Sequence, residues 1–298
     1  MKTILFVVNP CAGKKKANSQ LAQIIGMFNR AGYEVITYMT AGQGDATRIV
    51  RERGGSVDKI VCCGGDGTFN EVMSGVMLQG LTTPIGYLPA GSTNDFAASL
   101  RLPTDLIEAA KLCVEGKPVA YDVGSFGGRY FSYVASFGAF TRSSYATPQS
   151  VKNALGHVAY VLDGIQELGQ LKNIHMRVEL SDGRVVEDDF LFGAISNSTS
   201  IGGILTLDPK QVDMRDGKLE VLLIRAPREF GELSACIRAI SQKQYNCAMV
   251  TFLSAESMRV ISNAPVDWTL DGELAAGKST VEINCLPGAI RLLKGDEA

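Results

Sequence analysis

Over the first 125 or so residues, short continuous apolar runs alternate with stretches whose apolar positions recur every three or four residues. Thr3–Val8, Val35–Met39, Lys59–Cys63, Ile85–Leu88 and Val119–Val123 read as strands. Between them, Leu21, Ile24, Ile25 and Phe28 place a stripe on one helix, and Ile49 and Val50 face inward on another over 45–53. Further helices are predicted over 69–78 and 104–114, with Thr104 as the cap of the latter. Buried strands joined by helices predict a parallel sheet covered on both faces, with ligands beyond the strands' carboxyl ends.

After Phe126 the period shortens to two. Alternating runs at Tyr130–Phe137, His175–Leu180, Arg184–Ile195, Lys218–Ile224, Ser257–Ile261, Asp267–Leu270 and Thr280–Cys285 are joined by turns such as S-D-G-R and L-D-G-E. This pattern predicts an antiparallel sandwich or barrel. Two helices interrupt it, over 150–171 and 228–241. The first carries Val151, Leu155, Val158, Leu162, Ile165 and Leu168 at helical spacing, most simply a core stripe and secondarily a lipid-facing one. The expected domains are 1–126 and 127–298, with the last strand allowed to return to the first domain.

Composition narrows the function classes. A net charge of −2 lacks the basic face that nucleic acid requires. No run of 18 apolar residues exists to span a bilayer, and Ile4–Val8 stops at Asn9-Pro10, too short for a signal-peptide core. Seven cysteines without C-x-x-C spacing read as thiols of a reducing cytoplasm rather than disulfides or zinc ligands. The two histidines, His157 and His175, are isolated and read as structural.

The octet G-E-L-A-A-G-K-S, residues 272–279, matches the pattern of an ATP-binding P-loop. A P-loop needs a strand before it and a helix after it, whereas Val281, Ile283 and Cys285 alternate with polar residues as a strand does. Phosphate chemistry is therefore expected elsewhere. Four glycine-bearing strand exits offer it: Asn9 to Lys14, Thr40 to Asp45, Gly64 to Glu71, and Pro89 to Phe96. Glycines at such exits let backbone N–H groups approach an anion. Asn70 stands where a dinucleotide fingerprint needs its last small residue, which disfavours a plain NAD(P)-binding domain. Asp66, Asp95 and Asp122 interleave with these exits, either as caps and turn formers or as a magnesium–nucleotide site. Lys14 is placed to lie over a phosphate as a point charge.

N-P-x-A-G, G-G-D-G-T-x-N-E and P-x-G-[ST]-x-N-D-F, in this order, resemble the diacylglycerol kinase catalytic domain of soluble bacterial lipid kinases. The resemblance continues through Asn197, Gly202-Gly203, Pro209, V-D-M-R-D-G-K-L and L-D-G-E, and so covers nearly the whole chain. It implies an α/β nucleotide-binding domain with an NAD-kinase/phosphofructokinase-like parallel sheet, then a mostly antiparallel β-sandwich domain, with the active site in the cleft between them. It implies ATP on Asn9, Pro10, Cys11, Ala12, Gly13, Thr40, Gly65, Asp66, Gly67, Thr68, Phe69, Asn70, Glu71 and Ser92. It further implies a structural magnesium (Mg2+) on Asp213, Asp216 and the carbonyl of Lys218, and Glu273 as proton acceptor. Asp66, Asp95, Asp122 and Lys14 complete the catalytic set. The expected reaction is ATP- and magnesium-dependent phosphorylation of a membrane lipid alcohol, diacylglycerol first, by a cytoplasmic protein peripheral at the inner membrane surface. Homodimers are common among such relatives. Phosphatidylglycerol, sphingoid and other alcohols stay open as acceptors, with NAD kinase and an idle nucleotide-binding lipid sensor as the other readings.

Overall fold

The computed structural model describes residues 1–13, 16–138, 173–201, 205–245 and 247–295. The helix expected over 150–171 lies outside the described residues. The chain divides into one unit of Met1–Asp122 with Gly288–Ala298 and another of Val123–Pro287.

In the first unit the strands are β1 (Lys2–Val8), β2 (Tyr33–Met39), β3 (Lys59–Gly64) and β4 (Ile85–Pro89). They lie in the parallel order β4-β3-β1-β2. The end of β15 (Glu273–Lys294) joins the same sheet beside β4, through Leu292 opposite Ile85. Central strands β1 and β3 are buried along nearly their whole length, as continuous apolar runs require. Edge strand β2 is half exposed. Successive side chains of β1 point to opposite faces. Ile4, Phe6 and Val8 pack with Ile24 and Phe28 of α1 (Lys16–Arg30) and with Ala109, Ala110 and Cys113 of α5 (Leu106–Glu115). The other face is covered by α2 (Asp45–Arg53), α3 (Asp66–Leu78) and the single-turn α4 (Asp95–Ser99). There Phe69 is fully buried, its ring 4.7 Å from that of Tyr87 and 4.8 Å from that of Phe96. Close packing of α2 on α3 rests on Gly75, where a Cβ would lie 2.8 Å from Val50.

The second unit is antiparallel. It contains β6 (Arg129–Phe131), β7 (Val134–Gly138), β8 (Ile174–Leu180), β9 (Val185–Ser196), β12 (Leu219–Arg225), β13 (Val250–Ala255) and β14 (Ser257–Leu270). Strand β5 (Lys117–Phe126) enters this unit and pairs with β6, and a short hairpin, β10 (Ser200–Ile201) with β11 (Leu205–Thr206), stands apart. The long strands β9 and β14 are bridged twice: by β8 along one half and by β7 along the other. Bulges between Ile261 and Trp268 let β14 change direction between these partners. The core centres on Trp268, 2% exposed, held between Phe126 and Phe137 at ring separations of 5.0 and 4.7 Å. Helix α6 (Phe230–Ser241) falls within the expected span.

Three local expectations change. The run Tyr130–Phe137 is broken at Ser132-Tyr133, because the N–H groups of residues 132–134 turn to a buried carboxylate, Asp271. The separate runs Ser257–Ile261 and Asp267–Leu270 are one bulged strand. The cap of α5 is Asp105, not Thr104: its carboxylate accepts from Ile107 N at 2.9 Å and Glu108 N at 3.1 Å. A negative charge at a helix start also complements the dipole. Asp105→Ala is expected to cost about 1 kcal/mol in denaturant unfolding, while the exposed Thr104→Ala leaves the midpoint unchanged.

Candidate active site

Four loops leave the carboxyl ends of β1 to β4, and their contacts explain their glycines. Asn9 ends β1 and uses both ends of its amide. Its Oδ1 accepts from Cys11 N at 2.9 Å, and its Nδ2 donates to Thr68 Oγ1 at 3.0 Å. The first loop is thereby tied to the third. Gly13 has a φ of +52°, and a Cβ there would collide with the carbonyl of Ala90, so the first loop also lies on the fourth. Ala90 N donates to Gly64 O at 2.8 Å. Gly65 and Gly91 meet backbone to backbone: a Cβ on Gly91 would sit 2.5 Å from Gly65 Cα and 2.6 Å from Asn94 Oδ1. These loops are a tripod of backbone that only glycine admits at its contact points.

Side chains lock the tripod. Asn94 has a left-handed φ of 56°, and its amide closes on Gly91 in both directions, 2.9 Å each way. Asp66, at the first turn of α3, accepts from Asp95 N at 3.0 Å and Phe96 N at 3.3 Å, so its carboxylate caps α4. Asp95 itself is 7% exposed, beside Asp66. The second loop is fastened by Glu71, whose oxygens accept from Gly44 N at 2.8 Å and Ala46 N at 3.0 Å. Thr40 N is held by Val8 O.

The structure thus brings together Asn9, Gly13, Gly65, Asp66, Thr68, Glu71 and Asp95, with Pro10, Cys11, Ala12, Gly67, Asn70 and Ser92 on the same loops. Three candidates are placed differently from what direct ligand contact needs. The Phe69 ring is core, leaving only its backbone toward the loop. Ala12 turns its methyl into the hydrophobic cluster. Asp122, 1% exposed, accepts from Gly288 N at 2.7 Å and so fastens β5 to the returning β15. Lys14 and Gly202-Gly203 lie outside the described residues.

The remaining candidates belong to the second unit. Glu273 opens β15 straight after a tight turn in which Asp271 (φ 49°) and Gly272 (φ 87°) are both left-handed. Two such residues make the hairpin turn that D-G favours. Arg129 Nη2 stands 3.8 Å from Glu273 Oε2, and its Nη1 donates to Leu274 O at 3.1 Å. The octet that matched a P-loop is the start of this strand, with Lys278 opposite Val266 and Gly277 N bonded to Asp267. Asp213 and Asp216 each accept from the N–H two residues on, Arg215 at 3.0 Å and Lys218 at 2.9 Å, as paired Asx turns. Asp271, a residue with no role in the sequence reading, is 6% exposed and accepts from Ser132 N, Ser132 Oγ, Tyr133 N and Val134 N. Burial pushes its carboxyl above the ordinary range, and the four donors pull it back.

A doubly wound parallel sheet with a glycine tripod at the carboxyl ends of its strands, followed by a mostly antiparallel β unit, is an NAD kinase-like fold. Residues 3–126 match the family described as the diacylglycerol kinase catalytic domain, and residues 134–294 match the YegS C-terminal NAD kinase beta sandwich-like domain. The chain belongs to the diacylglycerol kinase catalytic domain family and is a lipid kinase. It is 30% identical over 275 residues to a diacylglycerol kinase of Bacillus subtilis, across 92% of this chain and 90% of that one. A solved diacylglycerol kinase structure from Bacillus anthracis shares the fold at a TM-score of 0.76 and 22% identity, covering 99% of this chain and 97% of that one. An NAD kinase from Archaeoglobus fulgidus, solved with ATP, shares it at a TM-score of 0.58 and 15% identity, over 99% and 94%.

The tripod makes one mutation decisive. Gly91→Ala forces Gly65 and Asn94 apart, and is expected to weaken ATP binding by calorimetry at least about tenfold, since a misplacement of roughly 1 Å costs up to 10²-fold. The atoms a Cβ at Gly91 would meet first belong to the loop residues Gly65 and Asn94, so the far-ultraviolet circular dichroism of this variant is expected to stay native.

Proposed function

We propose that this lipid kinase transfers the γ-phosphoryl group of ATP to the hydroxyl of a membrane lipid alcohol, diacylglycerol being the first candidate. The observation that carries this reading is the glycine tripod with Asp66 and Asp95 beside it. Backbone N–H groups from several loops, brought within glycine distance of one another, suit the crowded oxygens of a polyphosphate. Phosphoryl transfer asks chiefly for alignment and charge neutralisation.

The donor set fits magnesium, a hard cation that takes one or two carboxylates and completes its shell with phosphate oxygens and water. Among the described residues no three acids, histidines or cysteines gather into a cage. Asp66 and Asp95 are the residues proposed to hold it, and when bound it would neutralise charge on the phosphates. Asp213, Asp216 and the Lys218 carbonyl are likewise all-oxygen donors, proposed for a second, structural magnesium. Asn9, Gly13, Gly65 and Thr68 orient the phosphates, and Glu71 and Asp122 act by holding loops and strands. Glu273 takes the alcohol proton as its oxygen attacks the γ-phosphorus.

No helix among the described residues is long and apolar enough to cross a membrane. We propose a peripheral visit to the bilayer, where the diacylglycerol acceptor resides, from the cytoplasmic side.

Turnover should be measured with detergent-dispersed diacylglycerol, with NAD and with buffer alone. Only the lipid is expected to consume ATP; consumption with NAD alone would overturn the acceptor class. Glu273→Gln is expected to lower kcat by roughly 10²–10⁴-fold, the usual contribution of a positioned general base, with ATP affinity retained. Lys278→Ala should leave both ATP affinity and kcat near wild type, because it sits inside strand β15 opposite Val266 and not at a strand-to-helix exit; loss of ATP binding here would restore the P-loop.

Thiol labelling tests the nucleotide site without turnover. Of seven cysteines only Cys11 and Cys247 are exposed. Burial pushes Cys63, Cys113 and Cys236 up to about 12, and Cys62 well above its ordinary value. At pH 8 two thiols are expected to react quickly, and ATP should protect Cys11 on the first loop while leaving Cys247 reactive. Equal labelling of Cys11 with and without saturating ATP would remove the nucleotide from that loop.

A further inference from the structure

A turn aspartate ordinarily faces water, where the D-G pair needs nothing but its backbone. Asp271 does the opposite. It is 6% exposed at the tip of a hairpin, and four donors converge on it: Ser132 N at 2.6 Å, Ser132 Oγ at 2.7 Å, and the N–H groups of Tyr133 and Val134 at 3.0 Å each. Asn or Gly would form the same turn without burying a carboxylate, which costs several kcal/mol unless it is fully bonded. The carboxylate therefore serves the contact and not the turn.

What the contact fixes is the next polar side chain. Asp271 N also donates to Val134 O at 2.9 Å, so the tip is stitched to the β6–β7 corner from backbone and side chain alike. On the far side of Glu273, Arg129 of β6 donates to Leu274 O. One short segment, residues 129–134, thus grips the chain immediately before and after Glu273, leaving that carboxylate partly open. The corner is itself braced. Tyr133 O accepts from Asn197 N at 2.9 Å and from Ser196 Oγ at 3.0 Å, and Ser196, Asn197 and Ser198 are all wholly buried. A buried polar bracket around one accessible carboxylate resembles the preorganised supporting shell of a catalytic group.

We infer that Asp271 is a positioning residue for phosphoryl transfer: its clamp on Ser132, Tyr133 and Val134 holds the hairpin so that Glu273 meets the acceptor hydroxyl in one fixed orientation. This rests on the reading of Glu273 as the base. Asp271 is closed into contacts with Ser132, Tyr133 and Val134, so its loss is expected to act on kcat and to leave the KM for ATP in place. Asn at 271 keeps the turn but turns an amide N–H2 toward two of the four donors, breaking one side of the clamp. Removing the Ser132 hydroxyl takes away a single donor and leaves the rest.

The test is a pair of double-mutant cycles with thermal unfolding as control. Asp271→Asn is expected to lower kcat roughly 10- to 100-fold with the KM for ATP unchanged, as about 1 Å of misplacement would. Ser132→Ala, the milder variant in case Asp271→Asn folds poorly, should lower kcat by about 3- to 10-fold on the same argument. Placed on top of Glu273→Gln, either change should cost nothing further, because residues that act as a unit are non-additive. If Glu273→Gln is nearly dead and the losses from Asp271→Asn and Ser132→Ala persist undiminished on top of it, Asp271 is merely structural and the inference falls alone. If Glu273→Gln turns over normally, the base assignment fails and the inference falls with it.

Discussion

Contact between backbones at the carboxyl end of the parallel sheet is the constraint on which the first unit depends. Gly13 lies on the Ala90 carbonyl and Gly91 against Gly65 Cα, with Gly64 under the Thr68 side chain, at spacings that leave no room for a Cβ. Three loops of separate strands can share so little space only if their side chains are absent at the contacts and their polar groups are bonded elsewhere. Asn9, Asn94, Asp66 and Glu71 do the second part, each fastening its own loop or a neighbour's helix start. The result is a set of loops held in place by the protein's own contacts, the kind of preorganisation that lowers the cost of ordering on binding.

The same economy governs the acids. Several carboxylates of the motif segments spend oxygens on the protein's own N–H groups: Asp66 on α4, Glu71 on α2, Asp122 on Gly288 and Asp271 on the β6–β7 corner. A carboxylate offers about four acceptor positions, so fastening one end does not prevent metal or water at another. In this fold, holding the site and serving it are duties of the same residue types, often separated by only one or two positions. Asp271 and Glu273 are the clearest case, one closed into the structure and the other partly open.

Much of the fold was legible because its physics is local. The strands and helices up to residue 126 came from continuous apolar runs and 3.6-residue stripes, since a sheet buried on both faces leaves no polar positions to confuse the period. The rejection of the P-loop in 272–279 came from the same source, the alternation of Val281, Ile283 and Cys285. The motif loops and Glu273 were singled out as candidates by resemblance.

Tertiary structure alone decided the rest. No local pattern tells that Asp105 rather than Thr104 caps α5, because both precede the helix and only the backbone path selects one. The bulged unity of β14 and the break at Ser132 depend on partners far along the chain, the break on a carboxylate 139 residues away. The Phe69 ring reads as part of a motif and is core; Asp271 reads as a turn and is a clamp. In each case the sequence specified the residue type and the local conformation, while burial and partners were set by strands that meet only on folding, where the cost of an unbonded buried polar group leaves few arrangements open.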